Sequence, residues 1–157
     1  QAYRARPCRW NHGTGCYSGF VDNPNRGHRE VEHTADWGLE VWAPDLPALI
    51  EEAARGMYEL MGVEVSDESR CHRQLEIVGE ESEQLLVSFL EELLFLADHE
   101  DLAFDGFLFN VVETNLLARL EGGFIVVREK EIKAVTYHYL EIEETGRGLE
   151  TSIIFDV

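Results

Sequence analysis

Two stretches of the chain repeat their apolar residues with the 3.6-residue period of an α-helix, between segments that alternate like strands. The first stretch runs from Leu46 to Met61, behind the capping residue Asp45, and ends at Gly62. The second begins at Ser82 as the N-cap and continues to about Asp98. Strand-like alternation lies on both sides of the helices. The pattern therefore predicts an α+β domain of two layers, with two helices packed on a mainly antiparallel β-sheet.

The first part of the chain lacks any such period. Residues 1–28 are rich in Arg, Gly, Asn, Cys and His, and we expect them to be a disordered or non-native leader. Periodicity begins at Arg29, so residues 29–157 are predicted to form a single domain. Three cysteines cannot form a closed set of disulfides, which fits a reducing compartment. No signal-peptide pattern and no membrane-length apolar run is present, so we expect a cytoplasmic protein with no membrane partner.

The charge of the chain is strongly negative and uneven. The formal net charge is −18. Residues 1–30 contribute +3, from five Arg and two acids, so the remainder carries −21. Such a surface repels phosphate backbones, and no direct nucleic-acid binding is expected. It would attract a basic protein surface, or it would serve solvation alone, and the sequence leaves both alternatives open.

The last third of the chain is predicted to be strand and turn. Five runs have strand character: 107–112, 116–120, 124–127, 132–142 and 149–155. The pair Gly122-Gly123 is a hairpin signal between two of these runs. The segment Glu131–His138 is predicted to be a strand with an unusual number of functional side chains.

The segment from Glu32 to Gly38 is predicted to be a tight junction between two strands. Asp36 can hydrogen-bond the backbone two residues further on, and Gly38 can take a positive φ. One interpretation is a well-made turn and nothing more. The other is that Asp36, flanked by His33, presents its carboxylate to a ligand.

A second carboxylate cluster is predicted at the last two residues. Asp156 follows an apolar strand, and the α-carboxylate of Val157 lies beside it. If this strand end meets the turn at Asp36, three carboxylates converge. They would repel one another unless they were protonated or bridged by a hard cation.

Four motifs together resemble the archease family. They are His33-Thr34-Ala35-Asp36-x-Gly38, Ser88–Leu94, Lys133–His138 and Phe155-Asp156-Val157, and with the two helices they follow the family's order over roughly residues 29–157. The resemblance implies an archease/SHS2-like fold. It also implies a small protein, not itself an enzyme, that activates the RtcB-type tRNA-splicing RNA ligase by promoting its guanylylation and multiple turnover.

The same resemblance implies a divalent cation, most simply Ca²⁺, with Mg²⁺ or Mn²⁺ as alternatives. Its implied ligands are Asp36, Asp156 and Val157. The GTP and the Mn²⁺ of the ligation reaction belong to the ligase. Further residues of the motifs are expected to contact the ligands or the partner: His33, Lys133, Thr136 and His138.

Two other functions are compatible with the residues. A metal-dependent hydrolase would use the acid–base chemistry of His33, His138 and Lys133. A chaperone-like adaptor would act through its acidic surface alone.

Overall fold

The computed structural model describes residues 24–32 and 35–157. Most of the predicted leader, and the predicted site residue His33, lie outside the described residues. Along the described part of the chain the elements are β1 (Gly27–Glu32), β2 (Trp37–Ala43), α1 (Leu46–Met61), β3 (Glu64–Val65), β4 (Cys71–Val78), α2 (Ser82–Glu100), β5 (Leu102–Val112), β6 (Asn115–Val127), β7 (Ala134–Thr136), β8 (Glu143–Thr145) and β9 (Gly148–Asp156).

The strands form two antiparallel sheets. The first sheet has the order β1-β2-β9-β7, and β8 pairs with β9 on the same edge as β7. The second sheet is built on β6, with β5 along one edge and β4 and β3 along the other. The predicted α+β class with antiparallel strands is confirmed, although the strands divide between two sheets rather than forming one.

The two helices cover the inner faces of the sheets. Helix α1 contacts β1, β2, β9 and β5, and α2 contacts β4, β5, β6 and β7. The predicted cap of α1 is confirmed, because Asp45 Oδ1 accepts from the Ala48 N–H at 2.9 Å and Gly62 adopts the left-handed conformation at φ 62°. In α2 the N-cap position is held by Glu81 rather than Ser82, without a side-chain hydrogen bond. No helix of the described residues is long and apolar enough to cross a bilayer.

The predicted hairpin at Gly122-Gly123 is wrong, because β6 runs straight through both glycines. The reversal between β5 and β6 lies at residues 113–114, where Glu113 has φ 56°. Gly122 instead permits a close approach of two backbones. A Cβ at that position would lie 1.9 Å from the carbonyl oxygen of Ala103, beside an irregularity in the β5–β6 register.

The predicted long strand over 132–142 is also wrong. Only residues 134–136 pair with the end of β9, and the chain returns to the same edge of β9 at β8. Between them the chain is drawn towards α2, because the Ile142 N–H donates to Glu83 Oε1 at 3.1 Å. His138 and Tyr139 therefore lie in a turn rather than on a strand.

The predicted domain start at residue 29 is too late. Strand β1 begins at Gly27, and two side chains bind α1, one from the residue before the strand and one from within it. The Arg26 guanidinium pairs with Glu52, and His28 Nδ1 lies 3.0 Å from Glu52 Oε2. Hydrogen bonding to Glu52 raises the pKa of His28 in spite of its partial burial, with a further contribution from Glu59. Burial opposes ionisation of Glu52, but the hydrogen bonds from His28 and Arg26 outweigh it and lower the pKa of that carboxyl.

Candidate functional site

The register between β2 and β9 brings the two predicted aspartates to one end of the first sheet. Trp37, the first residue of β2, pairs with Phe155 near the end of β9. Extending this register by one residue places Asp36 opposite Asp156. Phe155 is fully buried, whereas Asp156 is exposed, so the alternation of the strand directs Asp156 to the outer face of the sheet.

The start of β7 completes this edge from the other side of β9. Ala134 pairs with Asp156, and the Lys133 N–H donates to the Asp156 carbonyl oxygen at 2.8 Å. The end of β9 is thus held between β2 and β7. Two predicted site residues, Lys133 and Asp156, lie beside each other at this point.

Val157 continues the inward-facing positions of β9. Its side chain is partly buried and packs against the hydrophobic core. That packing anchors the residue and fixes its main chain beside Asp156. The apolar side chain and the polar main chain of Val157 therefore have separate surroundings.

Thr136 lies on the same outer face as Asp156. It pairs with Ile154, two residues along β9. Its hydroxyl oxygen is buried and has no hydrogen-bond partner among the described residues. A buried hydroxyl without a partner is uncommon in native structures, and a bound water or ion is a usual explanation.

The donor chemistry of this edge fits a hard cation. Its groups are carboxylate oxygens, with the unpaired Thr136 hydroxyl nearby, and Ca²⁺ and Mg²⁺ prefer oxygen ligands. In the described part of the chain no three His, Cys, Asp or Glu side chains lie together in a metal-binding arrangement. The predicted ligand set contains only two such side chains, Asp36 and Asp156, and its third member is the Val157 main chain.

The structure does not bring His138 to this edge. β7 and β9 are antiparallel, so the chain moves away from Asp156 as it passes from Ala134 to His138. The imidazole of His138 lies instead against the ring of Tyr139, at 4.0 Å between centroids. His138 therefore does not lie at this edge, and its predicted contact with the ligands or the partner stays a prediction.

Lys130 is a residue of this edge that the sequence analysis missed. Its ammonium group lies 4.7 Å from the ring centroid of Trp37, the residue that follows Asp36 in the sequence. A signal was present in the composition, because Lys130 and Lys133 are the only two lysines in a chain of 157 residues. Both lie in the segment that leads into β7.

The fold and this edge define a class of small α+β proteins in which helix-covered antiparallel strands present carboxylates at one end of a sheet. The model of the Archease protein family (MTH1598/TM1083) matches residues 28–157. The chain belongs to the archease family, which confirms the resemblance seen in its motifs.

Relatives of known sequence and structure agree with this assignment. Protein archease of Thermococcus gammatolerans is 37% identical over 131 residues, covering 78% of this chain and 92% of the relative. The crystal structure of an archease from Thermotoga maritima, described as a possible chaperone, matches with a TM-score of 0.63 and 26% identity, over 82% of this chain and 96% of its own. The solution structure of Methanobacterium thermoautotrophicum protein 1598 matches with the same TM-score and 28% identity, over 83% and 99%.

Proposed function

We propose that this protein is a metal-binding accessory protein that activates an RtcB-type tRNA-splicing RNA ligase. In this role it promotes guanylylation and multiple turnover of the ligase and has no turnover of its own. Membership of the archease family supports the proposal. The observation that supports the site is the β2–β9 register, because its extension by one residue would set Asp36 opposite Asp156 although 119 residues of sequence lie between them.

The proposed ligands are Asp36, Asp156 and the main-chain carboxylate of Val157. Together they would hold a divalent cation, with Ca²⁺ favoured and Mg²⁺ or Mn²⁺ as alternatives. A bound cation would offset the mutual repulsion of the carboxylates and tie the start of β2 to the end of β9. Within this chain, β7 positions the end of β9 through the hydrogen bond from Lys133 to Asp156.

The charge of the protein supports a protein partner rather than RNA. A net charge of −18 disfavours contact with phosphate backbones and favours a basic surface. The GTP and the catalytic Mn²⁺ would then be bound by the ligase. We expect this function to be exercised in the cytoplasm.

The proposal is tested by mixing the full chain with the ligase of the same organism and measuring the ligase–GMP adduct. Asp36→Asn and Asp156→Asn should each lower the stimulation by at least about tenfold, because fewer anionic ligands weaken cation binding. Asp67→Asn is the matched control, since Asp67 is exposed and lies outside the site. It should stimulate like the wild type.

A thermal shift separates loss of the metal from loss of the fold. Calcium should raise the melting temperature of the wild type and of Asp67→Asn by mass action. It should have no such effect on Asp36→Asn. Full stimulation by both site variants would instead indicate an adaptor that acts through its acidic surface, and product formation by the protein alone would indicate a hydrolase.

A further inference from the structure

Two cavities on the outside of the protein share a wall formed by Tyr139 and Glu141. One, of about 300 Å³, lies on the outer face of the first sheet. The other, of about 710 Å³, lies between the start of α2 and the segment 137–141. We call the two together the acidic trough. Its carboxylates come from four stretches of the chain: Glu40, Glu80, Glu81, Glu83, Glu141, Glu143 and Glu150.

The trough also exposes aromatic rings to solvent. An acidic surface that served only to keep the protein solvated would not need them. Tyr139 is 84% exposed and Tyr137 is 55% exposed. Tyr139 adopts φ 56°, a conformation that is costly for a bulky side chain and is found preferentially at functional sites. Aromatic rings among carboxylates form an environment that favours an organic cation, because the ring face and the carboxylate both attract positive charge.

The trough already contains one guanidinium group. Arg147 lies with its guanidinium carbon 4.7 Å from the ring centroid of Trp42, and its Nε donates to Glu150 Oε1 at 2.5 Å. Among the described residues it is the only basic side chain that lines either cavity. The chain itself thus shows how the trough holds an arginine, with one face on an aromatic ring and the donors on a carboxylate.

We propose that the acidic trough binds an extended, arginine-containing segment of a protein partner. The planar guanidinium stacks on aromatic rings and forms directed hydrogen bonds to carboxylates, which the compact ammonium of lysine does less well. Arg147 occupies part of the trough in the free protein and competes with the incoming segment. The proposal does not rest on the metal site, because neither Asp36 nor Asp156 lines the trough.

The first test measures binding of a fluorescein-labelled peptide of alternating arginine and glycine to the full chain by fluorescence anisotropy at physiological salt. The lysine–glycine peptide of equal length is the comparison. The arginine peptide should bind at least about threefold more tightly, as expected when a cation–π contact adds to charge attraction. Equal affinities would mean a general attraction to the acidic surface and would overturn the proposal.

Arg147→Gln removes the internal competitor and should strengthen arginine-peptide binding by about three- to fivefold. Arg73→Gln is the matched control, because it changes the net charge equally and Arg73 pairs with Glu100, away from the trough. Equal gains in the two variants would overturn the proposal. A gain confined to Arg147→Gln supports it.

Tyr139→Asn removes the exposed ring but retains a residue type that tolerates the left-handed conformation. It should weaken the arginine peptide several-fold and the lysine peptide less. Glu141→Gln should also weaken binding, whereas Glu91→Gln, on the exposed face of α2, should not. Equal losses for Glu141→Gln and Glu91→Gln would refute a localised site. Unfolding curves in urea should show for each variant a cooperative transition like that of the wild type, which checks that the fold is retained.

Discussion

Gly122 offers the sharpest test of how the second sheet is built, through the substitution Gly122→Ala. A Cβ at residue 122 would lie 1.9 Å from the Ala103 carbonyl oxygen and 2.7 Å from the Phe104 Cα. Both atoms belong to the backbone of β5, so no side-chain rotation relieves the contact. Strand β5 would have to move away from β6 by roughly 1.5 Å to restore a normal van der Waals distance.

The free-energy cost of Gly122→Ala comes from the interactions that are broken when β5 moves away from β6. Two ladder hydrogen bonds beside the irregularity would be lost or lengthened, at about 1 kcal/mol each. The displaced core face of β5 adds an overpacking cost of about 1–3 kcal/mol. The free energy of unfolding should therefore fall by about 3–5 kcal/mol, a large part of the 5–15 kcal/mol typical of a domain.

Equilibrium unfolding in urea measures this loss directly. Gly146→Ala is the matched control, because no described atom lies within 4 Å of its added Cβ and its φ is not in the left-handed region. In a turn of that kind the change should be within about 1 kcal/mol and in the stabilising direction. A loss below about 1 kcal/mol for Gly122→Ala would refute the close approach of β5 and β6.

Two further predictions concern local interactions of α1. The ion pairs of His28 raise its pKa in the folded state, so their stabilisation is fully present below the unfolded value of about 6.5 and is lost as the pH rises through the folded pKa. The unfolding free energy of the wild type should therefore fall as the pH rises above about 6.5. His28→Gln should flatten that slope in urea titrations; an unchanged slope would assign it to other groups. Asp45→Ala removes the N-cap and should cost about 1 kcal/mol by the same assay. Asp67→Ala is its control, and an equal loss there would show that the cap contributes nothing.

The sequence was most informative where structure depends on near neighbours. The stripe of apolar residues in α1, its cap at Asp45 and its end at Gly62 each involve residues within one or two turns of one another. The motif that predicted Asp36, from His33 to Gly38, is also made of residues close together in the sequence. These features could be predicted because the interactions that form them are local.

The errors lie where distant segments decide the outcome. Gly122 looked like a turn, but its role is set by the backbone of Ala103, which the sequence does not place beside it. Likewise His28 looked unstructured until its partner Glu52, on the next helix, was known. Glu83 interrupts a well-patterned strand by accepting from Ile142, 59 residues away. Periodicity carries no information about such pairings.

The proposed metal site and the smaller cavity of the proposed acidic trough share the outer face of the first sheet, and their separation makes them distinct. Asp156 belongs to the proposed ligand set, and Ser152 lines the trough on the same strand. Four residues of strand separate these positions by about 13 Å. That distance exceeds the screening length of about 8 Å at physiological salt, so a charge at one site acts weakly on the other. Loss of the carboxylate at Asp156 should therefore leave the electrostatic field in this part of the trough nearly unchanged. Within the described residues the helices cover only the inner face, so one sheet would present both the proposed cation site and the proposed arginine-binding surface to the same partner.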